Sequence, residues 1–269
     1  TLQKRRPVTV ADNERFSLEL ANLGVSVRLT LHWQGRDYWV LVRQRRQDRG
    51  DVVLKLISGY VPAHEVNLPL HTAIQEIAEE CLLETPEGWL GGRFNETWLP
   101  APYAAALHYR EALPFRLTPL SGATRPVSCG SQPLLERPRT YVHLPTASLQ
   151  LIYDLRLEVP KEAKSLSLFH VEERLEGKRP DLYLIPLTEG RPCAELYTLS
   201  KDRLQPASTR GVRLAESFAP QDGWVVHDER IRWKDWVRQQ GLTPPKPESR
   251  LKRLTGKARQ IFRKVVKKS

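Results

Sequence analysis

The sequence predicts an α/β (α+β) protein in which a mixed β-sheet is sandwiched by helices, with a long proline-rich insertion and a basic C-terminal helix. Three observations support this prediction. Apolar residues alternate as in strands before and after residues 84–140, two segments have helical periodicity, and the last residues combine cations with an apolar stripe. The 269 residues are enough to bury one large core, or two modest ones, without disulfides.

We divide the chain into a lead-in of residues 1–24, a main domain of residues 25–242, and a tail of residues 243–269. Eight prolines and little periodicity mark residues 84–140 of the main domain. Long coil of this kind is usually functional or partly disordered, so we expect an irregular insertion that shapes a substrate pocket.

The strands of the main domain follow from its apolar patterns. Residues 25–33 alternate between apolar and polar side chains, which is typical of a half-buried strand. A turn at 34–37 and a second apolar run at 38–42 predict a hairpin, and residues 51–57 predict a third strand that ends at Ser58-Gly59. Further strands are predicted at 149–157, 166–171, 182–186 and 195–199.

Two helices are predicted in the same domain. The first covers about 71–83, with Leu70, Ile74, Ile77 and Cys81 on one face. The second covers 224–240 and is followed by Gly241, a common helix stop.

The positive charge of the chain is concentrated in the tail. The sequence has 42 basic and 31 acidic residues and a net charge of +11. Residues 246–269 hold ten basic residues and one acidic residue, a net charge of +9, so the rest of the chain is nearly neutral at +2. A proline-rich linker at 243–247 precedes this segment, which sorts its apolar residues onto one side of a helix.

A basic amphipathic helix has two interpretations. It binds an acidic surface, which is an anionic membrane or an acidic partner, with nucleic acid a less favoured ligand. Alternatively, its apolar stripe packs on the parent domain and its cations face water.

The first predicted helix carries Glu76, Glu79 and Glu80 on one face, soon after the turn at Gly59. Like charges at this spacing destabilise a helix by a few tenths of a kcal/mol per pair, and a divalent cation would offset that repulsion. Carboxylate oxygens suit Mg²⁺ or Mn²⁺. The alternative is a solvated acidic face that binds no metal.

Residues 59–83 resemble the Nudix box, Gly-x5-Glu-x7-Arg-Glu-U-x-Glu-Glu-x-Gly-U, where U is aliphatic. The spacing from glycine to the first glutamate is the same, and the second half aligns after a two-residue insertion. The matching residues are Gly59, Glu65, Glu76, Ile77, Glu79, Glu80 and Leu83.

The resemblance to Nudix hydrolases implies a metal-dependent pyrophosphohydrolase that cleaves a nucleoside-diphosphate-linked or other diphosphate-containing metabolite, with Mg²⁺ or Mn²⁺ as cofactor. By position, Glu76, Glu79 and Glu80 would bind the metal, and Glu79, Glu80 and Glu65 would be catalytic, with Glu65 as an outer carboxylate.

The sequence departs from the box where Gln75 replaces arginine and Leu82 replaces glycine. The neutral amide of Gln75 cannot make a charge-assisted bond, and Leu82 predicts that the helix runs on. These departures imply an alternative function, a catalytically silent Nudix-fold binding module tethered to a membrane or nucleic acid by its basic tail.

No run of about 18 apolar residues is present, which excludes a membrane-spanning helix. The three cysteines are far apart and form no disulfide framework. We therefore expect a cytoplasmic location, with attachment to the inner face of the membrane left open by the tail. The sequence does not determine the substrate or the oligomeric state.

Overall fold

The computed structural model describes residues 21–45, 52–120, 127–129, 132–134, 138–143, 147–171, 182–215, 223–225 and 230–242. The predicted lead-in up to residue 20 and the predicted linker and helix at 243–269 lie outside these ranges.

Most of the described residues are in strands. The strands are β1 (Asn22–Trp33), β2 (Arg36–Arg45), β3 (Val52–Lys55), β4 (Ile57–Tyr60), β5 (Cys81–Thr85), β6 (Gly88–Phe94), β7 (Thr97–Trp98), β8 (Tyr109–Pro119), β9 (Val127–Cys129), β10 (Gln132–Leu134), β11 (Arg139–His143), β12 (Ser148–Glu158), β13 (Ser167–His170), β14 (Leu182–Thr188), β15 (Arg191–Pro192), β16 (Tyr197–Ser200), β17 (Arg203–Pro206), β18 (Arg213–Leu214), β19 (Gly223–Val225) and β20 (Ile231–Arg232).

The prediction of a Nudix-like α/β sandwich is wrong, because the described residues are mostly in strands and only two short helices accompany them. The described chain forms one large mixed sheet, a small hairpin of β9 and β10, a 3₁₀ turn (Ala63–Glu65), and helices α1 (Pro69–Glu80) and α2 (Trp233–Gln239). The fold is therefore mostly β, because connections that were predicted as coil or helix are extended and hydrogen-bonded into the sheet.

The predicted irregular insertion contributes much of this difference. Its described residues contribute to every strand from β5 to β11. Pro86 lies in the turn between β5 and β6. The register of β6 against β8 shifts between Leu90 and Gly92, and Pro114 lies in the resulting bulge. A count of prolines therefore did not identify coil.

Strand β1 is at the centre of the sheet. It pairs with β12 in parallel from Asn22 to His32, and on its other side it pairs antiparallel with β2 and with β4. Side chains alternate along β1, so one face receives Val25, Val27 and Leu29, which belong to a buried core that also includes Ala73 and Ile77 of α1. Helix α1 therefore covers this first face.

The opposite face of the sheet carries a second core. It contains Leu41 of β2 and Ile152 of β12, and it is covered by Trp233, Trp236 and Val237 of α2. Ser26 and Thr30 of β1 are each only 2% exposed on this face. The prediction of a half-buried strand is thus wrong for β1, which is buried on both sides.

The helices differ in length from the predictions. Helix α1 begins at Pro69, which suits the first helical position, and it ends at Glu80 rather than at residue 83. The chain passes directly from α1 into β5 at Cys81, which is buried as predicted. Among the described residues of the helix predicted at 224–240, Trp233–Gln239 is helical, whereas Gly223–Val225 is a strand. Among the described residues, no helix has both the length and the apolar character needed to cross a bilayer.

Gly92→Ala is expected to lower the free energy of unfolding by about 1–3 kcal/mol. A Cβ at this position would overlap with the side chains of Leu99 and Phe115, which are 9% and 4% exposed and have little room to move. Urea unfolding followed by circular dichroism would measure the change. Thr97→Ala, at an exposed position of the neighbouring β7, is the control and should be nearly neutral. Equal stability of Gly92→Ala and the wild type would contradict the packing described for β6.

Candidate functional site

The C-terminal half of α1, which carries Glu76, lies against β4, the strand that precedes the helix in the chain. The Glu76 carboxylate occupies the space beside Gly59 of β4, where a Cβ on residue 59 would overlap with it. Glycine at this position therefore allows a carboxylate to approach the backbone of the strand closely. The glycine and the glutamate that the sequence comparison aligned with the Nudix box are in direct contact.

A lysine and a serine complete this part of the site. Lys55, the last residue of β3, extends its Nζ to within 3.1 Å of Glu80 Oε1 and 3.2 Å of Ser58 Oγ. The other oxygen of the same carboxylate, Glu80 Oε2, is buried and accepts no hydrogen bond from any described residue. One oxygen of Glu80 is thus paired with a cation, and the other is available to a further ligand.

Glu79 has a different environment. Gln75 donates a hydrogen bond from Nε2 to Glu79 Oε1 over 2.9 Å, one helical turn along α1. The Tyr103 hydroxyl donates to the backbone oxygen of Glu79 over 3.4 Å. Gln75, which replaces the arginine of the aligned box, therefore orients a carboxylate through a neutral amide.

The charges of this cluster affect Glu76 most strongly. Burial raises the pKa of Glu76 from 4.5 to about 7, and the negative charges of Glu80 and Glu79 contribute to the same shift. Lys55 opposes it. A carboxyl group with a pKa this high exchanges its proton near neutral pH, which is the range used by acid and base catalysts.

Glu65 lies in the 3₁₀ turn before α1 and contacts the first turn of the helix. Thr72 donates a hydrogen bond to Glu65 Oε2 over 2.6 Å, and His71 Nδ1 lies 3.2 Å from Oε1. The hydrogen bond from Thr72, with smaller contributions from His71, holds the pKa of Glu65 below its usual value. Thr72 precedes Glu80 by about two helical turns, roughly 12 Å along the axis. The structure therefore does not bring Glu65 together with Glu79 and Glu80.

The carboxylate oxygens are ligands of the type that a hard divalent cation prefers. The positions of the side chains match a metal site only in part. Glu80 Oε2 has no hydrogen-bond donor among the described residues, and the Glu76 carboxyl occupies the space that Gly59 leaves. Within the described ranges, however, no three acidic, histidine or cysteine side chains already converge on one point as a metal site. Of the three predicted ligands, Glu79 is the one whose carboxylate is turned toward Gln75.

Sequence reasoning missed Lys55 and Ser58. Lys55 is the single charged residue in the apolar run Val52–Ile57, and this exception was the available signal. Cys81, by contrast, was expected to be a core residue, and burial raises the pKa of its thiol to about 12, which excludes an activated nucleophile.

Comparison with known proteins adds no family to this description. No model of a known protein family matches the chain, and a search of curated proteins finds no match. The resemblance of residues 59–83 to the Nudix box accordingly stays a prediction.

Proposed function

We propose that the protein is a divalent-cation-dependent hydrolase of a diphosphate-containing metabolite, with Mg²⁺ or Mn²⁺ as its cofactor. One observation carries the proposal: the Glu76 carboxyl packs on the bare backbone of Gly59, and Glu80, one helical turn further along α1, has a carboxylate oxygen without a hydrogen-bond donor among the described residues. Two carboxyl groups on one face of a helix provide oxygen ligands of the kind that Mg²⁺ and Mn²⁺ prefer.

The residues of the site have separate roles in this proposal. A bound divalent cation would polarise the diphosphate and lower the pKa of a water molecule. Glu76 and Glu80 would hold the cation, while Gln75 orients Glu79 as the candidate base that accepts a proton from water. Lys55 Nζ, 3.1 Å from Glu80 Oε1, offsets the negative charge of Glu80.

The test is release of a monophosphate product from nucleotide sugars, dinucleotides and nucleoside triphosphates with Mg²⁺ or Mn²⁺. Glu80→Gln is expected to reduce turnover by at least about 100-fold, because the amide keeps the shape of the side chain but loses a charged ligand. Glu79→Gln is expected to have an effect of similar size. Glu111→Gln, which changes an exposed glutamate on β8, is the matched control and should be as active as the wild type.

Metal binding supplies a second measurement that does not depend on the choice of substrate. Titration of Mn²⁺ followed by electron paramagnetic resonance should show binding to the wild type and to Glu111→Gln, and weaker binding to Glu80→Gln. Absence of turnover with both metals across the panel, together with absence of Mn²⁺ binding, would reject the hydrolase.

A catalytically silent binding module is the second candidate, and the Lys55–Glu80 ion pair favours it. The ammonium group already neutralises one carboxylate, so the acidic face needs no metal for charge balance. In this case the output is binding to an anionic membrane, or less favourably to nucleic acid, through residues 246–269. Deletion of 246–269 would then abolish binding to anionic vesicles, whereas Glu80→Gln would leave it unchanged.

A further inference from the structure

Four neighbouring strands place a row of charged and aromatic side chains on the face of the sheet opposite α1. Arg139 of β11, Asp154 of β12, Arg28 of β1 and Trp39 of β2 lie side by side across these strands. Asp154 is 1% exposed, and it shares its carboxylate between the two arginines. We call this set the arginine row.

The arginine row has more donors than its carboxylate can use. Arg139 binds Asp154 with two nitrogens, Nε to Oδ2 at 3.2 Å and Nη2 to Oδ1 at 3.1 Å. Arg28 reaches the same carboxylate through Nε, at 2.5 Å from Oδ1. This contact uses one of the three nitrogens of the Arg28 guanidinium. Since a guanidinium has five N–H donors, part of Arg28 is left for another acceptor.

The geometry keeps these donors in place. The guanidinium carbon of Arg28 lies 5.1 Å from the centre of the Trp39 ring, so the aromatic face limits the orientation of the cation. The side chains of Arg28 and Arg139 are 27% and 19% exposed, and a small solute can therefore reach them. A partly exposed guanidinium with a planar set of donors is a common feature of sites for oxyanions.

The local charge also favours an anion. Two arginines share one aspartate, which leaves a surplus positive charge. Burial lowers the pKa of Arg28, Asp154 partly offsets this, and the positive charge of Arg139 lowers it further. The adjoining set of Arg156, Asp37 and Glu158 contains two acids for one arginine and is more exposed, so an anion is directed to the Arg28 end of the row.

We propose that the arginine row binds a phosphate group through Arg28 and Arg139. A tetrahedral oxyanion offers more acceptor oxygens than a carboxylate and matches the donors that remain on both guanidiniums. The row lies on the face of β1 that α2 covers, whereas Glu76 and Glu80 belong to the helix on the other face. This site is therefore independent of the proposed hydrolytic site.

Isothermal titration with inorganic phosphate, at an ionic strength held constant with sodium chloride, tests the proposal. The wild type should bind phosphate, and Arg28→Lys should bind at least about tenfold more weakly, because lysine keeps the charge but loses the planar set of donors. Acetate should bind the wild type at least about tenfold more weakly than phosphate. Arg191→Gln removes an exposed arginine from β15 and is the control for general charge effects.

Several outcomes would overturn the proposal. They are absence of heat for phosphate with the wild type, equal affinity for acetate and phosphate, and equal affinity of Arg28→Lys and the wild type. Circular dichroism checks that Arg28→Lys is folded, and if it is not, Trp39→Phe replaces it, with weakened phosphate binding expected because the smaller ring holds the guanidinium less firmly. Glu80→Gln should bind phosphate at this site as the wild type does, which separates this test from that of the hydrolase.

Discussion

Asp154→Ala is expected to lower the free energy of unfolding by about 3 kcal/mol. The change removes the carboxylate that Arg28 and Arg139 share and leaves two guanidiniums close together with no acid between them. The expected value is at the low end for a broken buried ion pair because the two arginine side chains are still 27% and 19% exposed. Urea unfolding at pH 7 would measure it.

Asp37 of β2, an aspartate that also pairs with an arginine, provides a matched control. Asp37 bonds to Arg156 and His32 but is 34% exposed, so Asp37→Ala should cost no more than about 1 kcal/mol. Adding Arg139→Met to Asp154→Ala should recover part of the lost stability, because it removes one of the two positive charges that Asp154→Ala leaves without an acid. Similar losses for Asp154→Ala and Asp37→Ala would show that burial does not control the strength of these pairs.

Glu76→Gln is expected to stabilise the protein above neutral pH and to have little effect near pH 4.5. In the wild type the pKa of Glu76 rises from 4.5 to about 7 on folding, so the folded state favours the protonated form. The stability contributed by this proton is present below pH 4.5 and is lost as the pH rises through about 7. Allowing for partial exposure, the variant should be more stable by about 1–2 kcal/mol at pH 8.

Unfolding curves at several pH values, recorded with a chelator to remove divalent ions, would measure this difference. Glu111→Gln is again the control, because its side chain is exposed and it should follow the wild type at every pH. Parallel stability profiles for Glu76→Gln and the wild type between pH 5 and pH 8 would contradict the burial of this carboxyl group.

The sequence predicts local structure better than it predicts architecture. The position of α1, the buried face at Ile77 and Cys81, and the hairpin of β1 and β2 follow from periodicity, which depends on neighbouring residues. The predicted end of the third strand at Ser58-Gly59 is wrong, because both residues lie within β4. The architecture depends on pairing between distant segments, such as β1 with β12 and β6 with β8. Apolar alternation does not reveal these partners, and prolines at bulges and turns looked like coil.

The residues of the candidate site could likewise be predicted from the sequence only in part. The three glutamates of α1 were visible because helical spacing places them together on one face. Lys55 joins them only because β3 and β4 bring its side chain to Glu80. The arginine row was hidden for a related reason: the alternation at 25–33 predicted a half-buried strand, whereas in the structure Arg28 of this strand pairs with the buried carboxylate of Asp154.

The direct passage from α1 into β5 has a consequence for ligand binding. The amide of Cys81 bonds to Ile77 at the end of the helix, and Cys81 is also paired with His170 of β13. The backbone that carries Glu79 and Glu80 is thus fixed from both sides and retains little conformational entropy. A ligand that binds there orders side chains but very little main chain, so a larger share of its contact energy is retained as affinity.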